Sequence, residues 1–255
     1  MAYIISLTNQ KGGVGKTTTS CALISGLTSK NKKVLGIDLD PQGNLGFSMG
    51  IEIEDCLTIY DAFKGRSSIA DVIQHTDLGD VIPSNILLSG AELEFNRTGR
   101  EFLLKNLISE IENRYDYIVI DTPPALNILT VNAYVSSHAL IIPMIPEILS
   151  LLGVSQLKET VDTVKKFYNS NLTVLGILLT RYNSRLNLSK EVQEMAENIA
   201  NQLGTHVFNT KIRTGVSVAE APAHGESILS YAPKSKPSLD YSNFIDELLD
   251  KIPQR

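Results

Sequence analysis

Asn9-Gln10-Lys11-Gly12-Gly13-Val14-Gly15-Lys16-Thr17-Thr18 follows an apolar run from Ala2 to Leu7 and precedes residues 17–27, which carry helical spacing. That placement is the turn between a strand and a helix, where a phosphate-binding loop belongs. Gly12, Gly13 and Gly15 let the backbone take conformations closed to other residues. Successive N–H groups can then point at phosphate oxygens, at the positive end of the following helix. Lys16 would reach the β- and γ-phosphates of a nucleotide and the Thr17 hydroxyl would bind Mg²⁺, with Val14 and Thr18 completing the cradle. A Gly-rich turn that binds nothing is the alternative; glycine spacing, the Lys-Thr ending and the strand-helix context together weigh against it.

Outward from this loop, strand-like runs recur at residues 3–7, 34–37, 117–120, 139–142 and 174–179. They are continuously apolar rather than alternating, as parallel strands buried on both faces are. The fold expected is α/β: a doubly wound, mostly parallel sheet with helices on both faces. Ligands in such sheets bind beyond the carboxyl ends of the strands, so the loops after these runs should carry the chemistry. Residues 46–112 read less clearly, with short helices expected at 58–63, 69–73, 91–95 and 101–111 and a strand at 80–82. His75 has no second ligand at metal spacing and reads as a surface residue.

At 255 residues, 43% hydrophobic and 20% charged, with no Pro/Gly/Ser-rich linker, the chain reads as one domain over residues 1–255. Met1 to Leu7 is too short for a signal peptide, and no segment is long enough to span a bilayer. Two cysteines, Cys21 and Cys56, form no disulfide framework, so a cytoplasmic location is expected. A net charge of −5 argues against coating nucleic acid through overall charge; DNA contact would need a local basic patch.

Two further strand ends carry acids. Asp38-Leu39-Asp40-Pro41 puts two carboxylates at the mouth of the expected site, although Asp-Pro also simply starts turns. Tyr117-Ile118-Val119-Ile120-Asp121-Thr122-Pro123-Pro124 is an apolar strand closed by an acid and then by a stiff loop, the pattern of a Walker B segment.

Gln10 stands where the literal phosphate-loop pattern has glycine, and Lys11 adds a second lysine beside the first glycine. The run Lys-Gly-Gly-Val-Gly-Lys-Thr-Thr resembles the deviant Walker A box of the ParA/MinD family of dimerising ATPases, and the resemblance extends over essentially the whole chain. It is closest to small ParA/Soj-type partition ATPases. The resemblance implies an ATP hydrolase using ATP and Mg²⁺, with weak intrinsic activity raised by a partner. Lys11 would complete the partner subunit's nucleotide site in an ATP-bound homodimer, Lys16 would serve its own, and Asp40 would orient the attacking water. Asp38 would lie near the Mg²⁺ shell with Thr17 and Asp121. The dimer would bind DNA nonspecifically, associate with the nucleoid, and move or position plasmid or chromosomal DNA with a ParB-like partner.

Other matches are looser. Glu147 falls where the family often has a glutamate, but the aromatic pair after it is replaced by Ile148-Leu149; a ribose contact across the dimer and an ordinary helix-start acid both fit. Arg181 would pack near adenine. Arg185 matches an arginine some members use for DNA and equally suits a solvated surface. Residues 209–222 resemble a partition-ATPase segment, yet Arg213 stands where its proline does, and Thr214 and Ser217 replace its two arginines. A DNA patch would then draw on Arg185, Lys211, Arg213, Lys234 and Lys236. The final helix, 239–252, is acidic, which counts against a membrane-targeting tail. Two other readings stay open: a nucleotide switch acting on protein partners with little DNA binding, and a metabolic enzyme or iron–sulfur reductase on the same fold, for which bridging cysteines are wanting.

Overall fold

A computed structural model describes residues 1–145, 152–183 and 187–253. Its elements run β1 (Tyr3–Leu7), α1 (Lys16–Ser29), β2 (Val34–Asp38), α2 (Asn44–Ser48), α3 (Ile59–Phe63), β3 (Gln74–Thr76), β4 (Gly79–Ile82), α4 (Ala91–Glu94), α5 (Leu103–Ser109) and β5 (Tyr117–Asp121). They continue with α6 (Ile128–Ser136), β6 (Ala139–Met144), α7 (Leu152–Phe167), β7 (Thr173–Leu179), α8 (Asn187–Gln202), α9 (Ser217–Glu220), α10 (Ile228–Tyr231) and α11 (Lys236–Leu249).

One seven-stranded sheet in the order β3-β4-β2-β5-β1-β6-β7 carries the chain, parallel throughout except for β3, which pairs antiparallel with β4. The doubly wound fold expected from the apolar runs is therefore present. Alternate residues of each strand enter two different cores, as the two-residue period of a pleated strand requires. Ile4, Leu35, Ile37, Ile118, Ile120 and Leu140 pack with α5, α6, α7 and α8 on one face. Ile5, Leu7, Val34, Val119 and Ile141 pack with α1, α10 and α11 on the other.

The register aligns the strand ends that matter. Asp38 lies directly beside Asp121 on adjacent strands, and Leu7 pairs with Asp121 on the other side. Three chain segments thus arrive at one edge of the sheet, and the loops leaving them converge. The helix after the double proline, α6, is capped by Asn127, whose side chain accepts from the amides of Leu129 and Thr130. Such a cap contributes about 1 kcal/mol.

One expectation, the helix at 69–73, needs correction, and one strand was not foreseen. Residues 69–72 form a turn, not a helix: Ile69 and Val72 are both buried three residues apart, which mimics helical spacing, but the Asp71 carboxylate accepts from the amide and hydroxyl of Ser68 and closes the turn locally. β3, short and half-exposed, carries no apolar signal and was not expected. His75 on it is exposed, as anticipated, and its Nδ1 lies 2.6 Å from Asp80 Oδ1. No described helix is long and apolar enough to cross a membrane.

Candidate functional site

The loop between β1 and α1 takes the conformation its glycines permit. Gly13 and Gly15 have φ of 73° and 87°, a region that costs an L-residue roughly 1–2 kcal/mol. A Cβ built on Gly12 or Gly13 meets nothing within 4 Å, so the loop bends around open space. That space belongs to a cavity of about 610 Å³ lined by residues 12–18, Asp40, Pro124, Thr180, Arg181, Ile212, Arg213, Val218, Ala219 and Tyr241, among others. Gln10, at the deviant position, keeps its Nε2 buried without a hydrogen-bond partner.

Lys16 is 6% exposed. Among the described residues its Nζ donates one long bond, 3.4 Å, to the Lys11 carbonyl. Burial lowers its pKa, and the charges of Asp121 and Asp40 only partly offset that. A buried ammonium beside a helix N-terminus, held by one neutral oxygen, suits an anion well.

Asp121 is fully buried at the end of β5 and accepts from two hydroxyls of α1, Thr17 Oγ1 at 2.6 Å and Ser20 Oγ at 3.1 Å. Burial pushes its carboxyl up to about 6, although the Thr17 hydroxyl and Lys16 pull the other way. The contact orients the Thr17 hydroxyl, with its hydrogen on Asp121 and its oxygen lone pairs left for a cation. Thr17 and Asp121 are thus brought together as the metal expectation requires, and their oxygen chemistry fits Mg²⁺.

Asp38, expected near the Mg²⁺ shell, lies beside Asp121 and is engaged with backbone. Its two oxygens accept the backbone amides of Asp40 and Leu45, both at 2.9 Å, and it does not line the cavity. Burial, then the Asp121 charge beside it, holds its carboxyl well above the usual range. It shapes the turn that presents Asp40. Asp40 does line the cavity, and its carbonyl accepts from Gly43 N at 2.9 Å, which closes a turn at Asp40-Pro41. α2 begins just past that turn.

β7 closes another side. Thr180 Oγ1 donates to the Val14 carbonyl at 2.8 Å, which ties the phosphate loop to the sheet end. Arg181, at φ 49°, is one of two described non-glycine residues in the left-handed region, and it lines the cavity. The Lys11 side chain is absent from that lining, which begins at Gly12.

Among the described residues expected in a DNA patch, Lys211 and Arg213 make contacts within the chain and Lys234 and Lys236 are exposed. Lys211 bonds Gln193 Oε1 and lies 4.8 Å over the Tyr182 ring. Arg213 is clamped by Asp240, with Nη2 to Oδ1 at 2.6 Å and Nε to Oδ2 at 2.8 Å. Lys234 and Lys236 are exposed beside the start of α11. Glu147 and Arg185 lie outside the described residues. The sequence reading missed Asp240, Tyr241 and Glu247; their spacing on one face of α11 with buried Phe244 and Leu248 was the available signal.

Known proteins agree with this geometry. Residues 2–174 match the family model described as an AAA domain. The chain is 41% identical to the sporulation initiation inhibitor protein Soj of Bacillus subtilis, over 97% of its own length and 98% of the relative's. It is 38% identical to the chromosome partitioning protein ParA of Myxococcus xanthus, covering 97% and 88%. A structure of a putative plasmid partition protein from Borrelia burgdorferi bound to AMPPNP superposes with a TM-score of 0.81 at 26% identity, covering 99% and 100%. A Mycobacterium smegmatis structure described as cobyrinic acid a,c-diamide synthase with bound ADP and magnesium does so at 0.86 and 32%, covering 100% and 99%. With relatives of this identity spanning nearly its full length, the chain belongs to the ParA/Soj family of partition ATPases.

Proposed function

We propose that the chain is an ATP hydrolase that dimerises when ATP and Mg²⁺ are bound, binds duplex DNA without sequence preference in that state, and partitions plasmid or chromosomal DNA with a ParB-like partner. The observation that carries the nucleotide part is the Lys16 ammonium, buried at the start of α1 with one 3.4 Å contact to a neutral carbonyl. Phosphate oxygens would satisfy it.

In this reading the amides of residues 12–18 and Lys16 hold the β- and γ-phosphates, and Thr17, oriented by Asp121, holds the cation. Mg²⁺ would neutralise charge on the phosphate oxygens. Asp40, at the cavity wall, orients a water in line with the γ-phosphorus. A bond forms from that water oxygen to phosphorus as the bond to the β-phosphate oxygen breaks, giving ADP and inorganic phosphate. Positioning and charge neutralisation carry the step, so the rigidity Asp38 gives the Asp40 turn is part of the machinery.

In the same reading Lys11 serves a second copy, and its position beside the loop supports this. Its side chain does not line the cavity of its own chain, while its carbonyl is held by Lys16. Lys11→Ala should keep ATP binding but lose ATP-dependent dimerisation and turnover; dimerisation equal to that of the unaltered protein refutes the cross-subunit role.

A second reading has one observation in its favour. Arg213 pairs with Asp240 and Lys211 bonds the neutral Gln193 amide, so among the described residues of the patch Lys234 and Lys236 are the exposed ones without such a contact. A nucleotide switch acting mainly through protein partners would behave this way. Salt-dependent DNA binding by the ATP-loaded dimer discriminates against it.

A further inference from the structure

Ile212, Arg213, Thr214 and Gly215 form one wall of the nucleotide cavity, and with Val218, Ala219 and Pro222 that region is largely apolar. An apolar wall suits a base rather than phosphates. The backbone of this wall is zipped to the end of β7: Ile212 N donates to the Leu179 carbonyl and Tyr182 N to the Ile212 carbonyl, both at 2.8 Å. The same strand end reaches the phosphate loop through Thr180 and Val14.

What fixes the wall from behind is α11. Asp240, 6% exposed, accepts the Arg213 backbone amide at 2.9 Å as well as the two guanidinium contacts, so one carboxylate takes three bonds from one residue. Tyr241, the next residue, lines the cavity and places its hydroxyl 3.1 Å from Thr19 Oγ1 on α1. Glu247 accepts the amides of Asn209 and Thr210 at 2.8 and 2.9 Å. α11 therefore grips the wall at Arg213, the segment leading into it at residues 209–210, and the phosphate-loop helix at Thr19. A planar guanidinium fork against a carboxylate is among the more directional contacts available to side chains, and here it carries backbone with it.

We infer that Asp240 is a positioning residue for nucleotide binding: through its clamp on Arg213 it holds the base-facing wall in register with the phosphate loop. The inference rests on the ATP reading of the cavity and assigns Arg213 to the nucleotide site rather than to DNA.

Calorimetric titration with Mg-ATP and, separately, with Mg-tripolyphosphate, which has the phosphates but no base, tests it. In Asp240→Asn and in Arg213→Lys, which keeps the charge but loses the fork, ATP should bind about tenfold or more weakly, the order that a misplaced contact surface costs. Tripolyphosphate should bind within twofold of the unaltered protein. Amide hydrogen exchange should quicken at Ile212 and Arg213 and stay unchanged in α1. Equal weakening of both ligands would mean that the pair merely stabilises the fold, and ATP affinity within twofold in both variants would remove Asp240 from the site; either overturns the inference. Should the unaltered protein bind tripolyphosphate but not ATP, the nucleotide reading fails and the inference falls with it.

Discussion

Replacing Lys16 by methionine separates what the lysine does for folding from what it does for a ligand. In the free protein its ammonium is 6% exposed and holds one 3.4 Å contact, and burial outweighs the pull of Asp121 and Asp40. Exchanging a charge whose burial cost outweighs its attractions for an apolar side chain of similar length removes that net cost from the folded state. The ligand-free melting temperature should therefore rise. For nucleotide the sign reverses, because removing one partner of a buried charge pair costs ~3–5 kcal/mol, roughly two to three and a half decades of affinity. With ATP at a thousand times the native Kd, the unaltered protein gains ~4 kcal/mol, a melting shift of roughly 8–16 °C at this chain length. The same ATP is then only about ten times the variant's Kd or less, a gain of ~1.4 kcal/mol at most. Differential scanning calorimetry with and without Mg-ATP reads both numbers. A variant that melts below the unaltered protein without ligand, or that keeps the full ATP shift, refutes the reasoning.

Gly225→Ala probes the link behind α2: at φ 64° its Cβ would stand 2.7 Å from the Gly50 Cα, a backbone atom. Left-handed strain of ~1–2 kcal/mol and overpacking of ~1–3 kcal/mol should lower the melting temperature by several degrees, and an unchanged melt would contradict the packing described. Glu247 supplies a pH dependence. Burial works to raise its pKa, but the amides of Thr210 and Asn209 outweigh it and hold the carboxyl below its ordinary value. The folded pKa lies below the unfolded one, so this stability is present above about pH 4.5 and is lost as pH falls through the folded value. Glu247→Gln should flatten that part of the acid limb in urea titrations below about pH 4.5; an unaltered limb would show that the carboxylate adds nothing there.

Much of this was legible because each sign had a local cause. The phosphate loop was readable from Gly12, Gly13, Gly15 and Lys16, and the buried strands from their continuous apolar runs, since a parallel strand covered on both faces leaves little room for polar residues. β3 was not legible: a three-residue antiparallel edge of Gln74, His75 and Thr76 buries almost nothing. Residues 69–72 misled because burial three apart does not distinguish a helix from a turn closed by Ser68 and Asp71. Asp38 and Asp40 were seen as two carboxylates at the mouth of the site, yet that Asp38 would accept backbone amides while Asp40 met the cavity depended on how the turn after β2 folds. Asp240 and Glu247 read as part of an acidic, solvated helix face. Their partners, Arg213 and the amides of residues 209 and 210, lie 27 to 38 residues away in sequence, beyond the reach of any local pattern.

The central claim is a nucleotide-controlled DNA-binding dimer, and light scattering of Asp40→Ala tests it most directly. This variant should bind ATP but hydrolyse it poorly, so the ATP state persists for measurement. With Mg-ATP it should run as a dimer and with ADP as a monomer, and the dimer should bind nonspecific duplex DNA and release it as salt rises, as phosphate contacts require. A monomer in both nucleotides, or an ATP dimer that ignores DNA even at low salt, would contradict the account.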